Sequence, residues 1–136
     1  MSKNFDKVRH ALHGWFSGNV EQGIGNWSDG SILVGDNALG EMLYVFERDG
    51  LRLALHERGL LHALDGGCST CLYEEILETK ELGLRELNSV RDIDALVTLE
   101  VKRETGWFSL KLPLKVYSTL VPFLAHVARS HSQGIR

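Results

Sequence analysis

Apolar and polar positions alternate most regularly near the C-terminal end of the chain. Val97, Leu99 and Val101 alternate with Thr98, Glu100 and Lys102; beyond Arg103-Glu104-Thr105-Gly106, Phe108, Leu110 and Leu112 alternate with Ser109 and Lys111. A period of two on both sides of a turn predicts a hairpin with one face buried and one face in water. From Val116 to His131 the period lengthens, and Val116, Leu120, Phe123, Leu124 and Val127 fall on one helical stripe. A sheet that ends in one amphipathic helix needs that helix over its open face. Pro122 sits inside this stripe, and a mid-helix proline costs about 3 kcal/mol relative to alanine. The pattern therefore predicts an irregular entry over Leu114 to Tyr117 and a helix from Thr119. Ser118 or Thr119 would cap it, with Pro122 in the first turn and Arg129 and His131 at the cation-favouring end.

Upstream, Leu43-Tyr44-Val45-Phe46 leads into the Arg48-Asp49-Gly50 turn, and Leu51, Leu53 and Leu55 alternate with Arg52 and Ala54. His56-Glu57-Arg58-Gly59 turns the chain into Leu60 to Leu64, and Asp65-Gly66-Gly67 breaks it again. Short strands at this even spacing predict an antiparallel meander and not βαβ units. Over Leu72 to Leu82 the signals conflict. Strong helix formers such as Glu74, Glu78 and Leu82 favour a helix locally, whereas the surrounding strand order favours an edge strand.

The N-terminal segment places Phe5, Val8, Leu12, Trp15 and Phe16 at helical spacing, with Gly18-Asn19 as a stop signal and Lys3, Lys7 and Arg9 in solvent. This predicts a helix docked on the domain with Trp15 in its core; a groove-binding or membrane-surface helix is the alternative. Residues 18–40 are glycine-rich, with Ile32-Leu33-Val34 as one short strand. Gly23-Ile24-Gly25 begins like a nucleotide loop, but Ser28 stands where a third glycine belongs and no Gly-Lys-Ser/Thr follows. These glycines read as tight-turn residues with positive φ, and Ser28-Asp29-Gly30-Ser31 reads as a turn too.

Composition adds mainly exclusions. The 136 residues suit one domain, divided as a helix over 1–17, a glycine-rich loop region over 18–40, and sheet plus helix over 41–131. A net charge of −3 gives no support to a nucleic-acid partner, which calls for a basic face. No apolar run reaches the roughly 18 residues of a membrane span, and Met1 to Asp6 lacks the apolar core of a secretory signal. With only two cysteines, no disulfide framework is implied. The expected location is the cytoplasm.

The order of several strands, Leu72-Tyr73-Glu74-Glu75-Ile76, a final hairpin and the Val116 to His131 helix resembles the pleckstrin-homology-like fold, especially its bacterial members, over about residues 43–131. In that family an aromatic-acid-aliphatic strand often precedes the last hairpins. The resemblance implies an α+β domain: a bent antiparallel sheet or partly open barrel closed by a C-terminal helix, here with an added N-terminal helix. It also implies a lipid-headgroup role if loop cations converge, and Arg48, Arg52 and Arg58 are the available ones, offset by Glu47, Asp49 and Glu57.

The sharpest candidate for chemistry is Cys68-Ser69-Thr70-Cys71. A Cys-x-x-Cys pair at a helix start can carry a depressed thiol pKa, so a dithiol redox role or half of a zinc site is one reading; two inert loop thiols is the other. His56 and His62 lie at no standard ligand spacing from the pair, and His10 and His13 read as helix-surface residues. His56, in a tight connection, is expected in solvent. There is no Gly-x-Ser-x-Gly elbow and no His-Glu-x-x-His, so no catalytic residue, metal or cofactor is assigned.

The tryptophans point elsewhere. Trp107 shares strand parity with Ser109 and Lys111, which puts it on the solvent face beside a turn, and Trp27 lies in the glycine-rich stretch. Exposed aromatics there are natural interface anchors, unless the N-terminal helix or loop covers Trp107. Glu74, Glu75 and Glu78 would steer a basic partner. The function expected is a non-enzymatic protein-interaction module, an adaptor or an immunity-type inhibitor, with Trp107, Trp27, Glu74, Glu75 and Glu78 as binding residues. Oligomeric state stays open, since an exposed strand edge would pair two chains and a covered one would not.

Overall fold

A computed structural model describes residues 3–27, 39–80 and 96–134. The protein is α+β. Helix α1 (Lys3–Glu21) leads to β1 (Asn26–Trp27), β2 (Met42–Arg48), β3 (Leu51–His56), β4 (Gly59–Leu64) and β5 (Gly67–Leu72). A 3-10 turn (Tyr73–Glu75) then precedes β6 (Glu78–Lys80), β7 (Leu96–Arg103), β8 (Gly106–Pro113) and helix α2 (Leu114–Gly134). Every strand pairing is antiparallel, in two sheets of order β1-β2-β3-β4-β5 and β6-β7-β8. They remain two sheets and do not close into a barrel.

The meander and the final hairpin follow from the alternation in the chain. Asp49 and Gly50 (φ 49° and 82°) make the β2–β3 turn, and Asp65 and Gly66 (φ 50° and 91°) make the β4–β5 turn. Both are Asp-Gly pairs, whose left-handed preference matches the twist of a tight hairpin. The β7–β8 hairpin closes with Arg103 opposite Gly106, so Val101 faces Phe108, Leu99 faces Leu110, and Val97 faces Leu112. The Ile32-Leu33-Val34 strand, the Ser28 to Ser31 turn and residues 81–90 lie outside the described residues.

The core lies between the two sheets and the helices. An aromatic series runs through it. Trp27 meets Tyr44 at 6.0 Å, Tyr44 meets Phe16 at 4.6 Å, and Phe123 receives Phe16 and Tyr73 edge-on at 5.8 and 5.7 Å. Such tilted pairs add about 0.5–1.5 kcal/mol each beyond the area they bury. Around them, Leu53, Leu55, Leu60, Leu99, Leu110, Leu112, Val116, Leu120 and Leu124 are fully buried. The α2 stripe is thus the one its spacing predicts.

Four local expectations are corrected. Helix α1 does not stop at Gly18-Asn19. Asn19 is buried, its Oδ1 accepts from Thr119 Oγ1 at 2.9 Å, and its Nδ2 contacts the Lys115 carbonyl at 3.5 Å, tying α1 to α2. The helix ends one turn later, where Gly23 (φ 79°) donates to Val20 O at 3.0 Å and Ile24 to Asn19 O at 2.8 Å. That is the paired-bond ending a left-handed glycine allows. Trp15 is 44% exposed, not core, because α1 docks through Val8, Leu12, Phe16 and Asn19 and leaves Trp15 on the flank. Helix α2 begins at Leu114 and carries Pro122 in its interior, not in its first turn. The carbonyl of Ser118 loses its helical donor to Pro122, at a residue that is itself exposed.

His56 is the fourth. It is fully buried, with Nδ1 donating to Gly40 O at 3.0 Å and its carbonyl accepting from the Tyr73 hydroxyl at 2.8 Å. Here the chain packs on the outer side of the larger sheet. Leu39 lies over Gly59, where a Cβ would come within 2.8 Å of Leu39 Cδ2 and would collide with the Cys71 carbonyl. Only glycine admits this close approach. Arg9 is 44% exposed, as expected, and its side chain bridges α1 to Glu57 and Glu41 at 2.9 and 3.3 Å. At that exposure the pair is worth at most a fraction of a kcal/mol or about 1 kcal/mol.

The two sheets hold each other at their edges. His62, on the inner face of β4, places Nε2 3.2 Å from the Lys111 N–H and 3.1 Å from the Lys111 carbonyl on β8. Reciprocally, Arg103 on β7 donates from Nη1 to the Thr70 carbonyl of β5 at 3.1 Å. Its guanidinium carbon stands 4.5 Å from the Phe108 ring centroid.

Candidate functional site

The segment with conflicting signals positions the candidate site. Leu72 ends β5, Tyr73–Glu75 forms a 3-10 turn, and Glu78–Lys80 adds a short strand to β7. The local helix reading is thus reduced to one turn, and the continuous aromatic-acid-aliphatic strand implied by the family resemblance is a strand end plus that turn. The physical reason lies in the fixed points on either side. Tyr73 is fully buried and its N–H donates to Arg58 O at 2.9 Å, while Leu77 N–H donates to Lys102 O at 2.8 Å. Between them too few residues remain for a stable helix.

Strand pairing then builds a surface. Glu78 pairs with Lys102, which pairs with Trp107; Lys80 pairs with Glu100, which pairs with Ser109; Thr98 pairs with Lys111. Residues paired across antiparallel strands share a face, so all eight lie on the side of the small sheet away from Val97, Leu99 and Val101. Trp107 is 47% exposed there, with Lys102 Nζ 6.0 Å from its ring centroid. Leu77, 57% exposed, lies just before β6, its N–H donating to the Lys102 carbonyl.

The other expected binding residues are distributed unequally. Glu78 joins the Trp107 row. Glu74 is exposed on the 3-10 turn, and Glu75, also exposed, accepts from the Leu72 N–H at 2.9 Å, so its carboxylate closes the end of β5. Trp27 is on the larger sheet. It is half-buried, stacked on His13 at 4.2 Å and paired opposite Tyr44. It is not part of the Trp107 surface. Sequence reasoning missed Leu77 and Lys102. The second was legible, because a two-residue turn at Glu104-Thr105 puts Lys102 opposite Trp107 once the hairpin is recognised. Leu77 was hidden by the helical spacing of its neighbours.

The cysteine pair is not arranged as a helix-start dithiol. Both residues lie within β5, not at a helix start. Three positions apart in a strand means opposite faces and Cα atoms roughly 10 Å apart, beyond the reach of a disulfide. Cys68 pairs opposite Ala63 and is exposed; Cys71 pairs opposite Leu60 and is buried. Burial pushes the Cys71 thiol up to about 11, against the opposing pull of Arg103. That is the reverse of an activated thiolate. No group of three or more His, Cys, Asp or Glu side chains converges on a metal position among the described residues.

The loop cations do not converge either. Arg48 and Arg52 sit on opposite faces of the larger sheet by parity, Arg52 lies 3.7 Å from Glu47, and Arg58 is at the far end of β3. No helix of the described residues is long and apolar enough to cross a membrane. Comparison of the chain with protein-family models, curated proteins and solved structures gives no match.

Proposed function

We propose that this protein is a non-enzymatic protein-interaction module that docks a partner on the outer face of its three-stranded sheet. The observation that carries the reading is the exposure of Trp107 in the row Glu78–Lys102–Trp107. A tryptophan held on a rigid strand offers a large anchor area at little entropic cost, and a surrounding of charged and polar groups supplies the rim. The face carries Glu78 and Glu100 against Lys80, Lys102 and Lys111. Recognition by shape around an aromatic anchor therefore fits better than steering of a basic toxin by an acidic patch.

The strand order, a long meander followed by a shorter one and a C-terminal helix packed on β7, β8 and the 3-10 turn, supports a pleckstrin-homology-like reading of the fold. A cytoplasmic location and the absence of a nucleic-acid partner belong to the same proposal, resting on the net charge of −3 and the unpaired thiols. The test is affinity capture from native lysate with wild-type protein and Trp107→Ala. One stoichiometric partner lost on substitution, with thermal unfolding changed by only a few degrees, is expected. Capture that survives Trp107→Ala, or a domain that melts because of it, would remove Trp107 from the interface.

A further inference from the structure

The inner face of the larger sheet is built in rows, and the outermost row differs from the others. Tyr44, Leu55, Leu60 and Cys71 form one row, and Phe46, Leu53, His62 and Ser69 the next. The last row reads Arg48, Leu51, Leu64, Gly67. An arginine and a glycine stand there at positions whose parity faces the core, so two leucines are the large apolar residues of this row among the described residues. Opposite them the small sheet ends in the Leu96–Pro113 pair.

The result is a cleft of about 340 Å³ lined by Arg48, Asp49, Leu51, Leu64, Leu96 and Pro113. Its floor is apolar: Leu51 and Pro113 are buried and Leu64 half-buried, while Leu96 is a large aliphatic residue left 47% exposed at one wall. Its rim carries one cation and one anion on adjacent residues, and both are exposed. Asp49 is held there in a left-handed turn conformation, φ 49°, by the hairpin. A volume in the lower part of the ordinary small-molecule range, an apolar floor and a few placed polar groups are the attributes of a ligand site. It lies at the other end of β8 from Trp107, six residues away, roughly 20 Å at the rise of a strand.

We propose that this cleft binds a small zwitterion with an apolar body, an α-amino acid with a large aliphatic or aromatic side chain. The guanidinium of Arg48 takes the carboxylate; its five donors serve more than one acceptor. Asp49 takes the ammonium, and the side chain lies on Leu51, Leu64 and Pro113 against Leu96. Opposite charges on adjacent rim residues disfavour a ligand of one charge alone, since an anion held by Arg48 is repelled by Asp49 and a cation held by Asp49 is repelled by Arg48.

Titration calorimetry of the full chain with L-phenylalanine tests this, with octanoate and 2-phenylethylamine as probes carrying only the carboxylate or only the ammonium. Saturable one-site binding of phenylalanine is expected, with each single-charge probe and each of Arg48→Gln and Asp49→Asn weaker by about 10-fold or more. Asparagine tolerates the left-handed conformation at 49, and the unfolding curve of each variant checks that the fold is intact. Leu96→Ser should weaken phenylalanine binding by loss of the wall, and Trp107→Ala should leave it unchanged. No saturable binding up to roughly 10 mM phenylalanine, a site too weak to matter, overturns the proposal. So does octanoate binding as tightly as phenylalanine, or affinity unchanged in both Arg48→Gln and Leu96→Ser.

Discussion

Cys68 and Cys71 show how far a side chain's chemistry depends on which face of a strand it occupies. Cys68 is open to solvent, while Cys71 is buried with its thiol pushed up to about 11. At pH 8 a disulfide reagent should label one thiol per chain rapidly and reach the second only in denaturant. Cys68→Ser should abolish the rapid phase, and two fast thiols would show that Cys71 is not sequestered. The motif itself was plain in the sequence, but its meaning was not. The same four residues at a helix start would put both sulfurs near the helix N-terminus, whereas in β5 they point apart. Trp107 was legible because parity alone places it on the outer face. His56 was not, because its burial depends on Leu39 and Gly40 crossing the back of the larger sheet, a contact that no local pattern records.

At the scale of elements, the strands were readable wherever a turn residue fixed the register, as at Asp49-Gly50, Asp65-Gly66 and Arg103–Gly106. Helix ends were less readable, because tertiary contacts extend them. Helix α1 runs through Gly18-Asn19 since Asn19 finds partners on α2, and α2 runs through Pro122 since Val116, Leu120, Phe123 and Leu124 are all fully buried across it. Packing of that extent outweighs about 3 kcal/mol of proline cost. Restoring the missing N–H should therefore stabilise the protein. Pro122→Ala is expected to raise the unfolding free energy by about 1–2 kcal/mol, the helix gain less the chain entropy that alanine returns to the unfolded state. Urea denaturation measures it; a loss of stability would mean that α2 needs its proline bend to fit the core.

For the whole molecule, what matters is that two sheets are held together by side chains from each reaching the edge of the other. His62 is the more consequential of the two clasps, because it titrates. Burial lowers its pKa from the ordinary 6.5, outweighing the opposite effect of its bond to Lys111. The unfolded chain therefore binds more protons than the folded one between that lowered value and 6.5. The contribution is fully present above pH 6.5 and is lost as pH falls through that window. Unfolding free energy measured from pH 7.5 downward should decline in this interval. The His62→Gln protein, which keeps an acceptor for the Lys111 N–H but cannot take a proton there, should show a shallower decline. Equal slopes would assign the acid sensitivity to other groups.

The same clasps have a bearing on self-association. On β5 the Thr70 carbonyl is taken by Arg103 and the Leu72 N–H by Glu75; on β8 the Lys111 N–H is taken by His62, and Pro113 has no N–H to offer. The remaining outer strands, β1 and β6, are two and three residues long. A second copy seeking to extend either sheet meets these occupied positions on β5 and β8, and on β1 and β6 a template too short to hold it. Protonation of His62 releases the Lys111 N–H, so mild acid frees one more amide on the β8 edge.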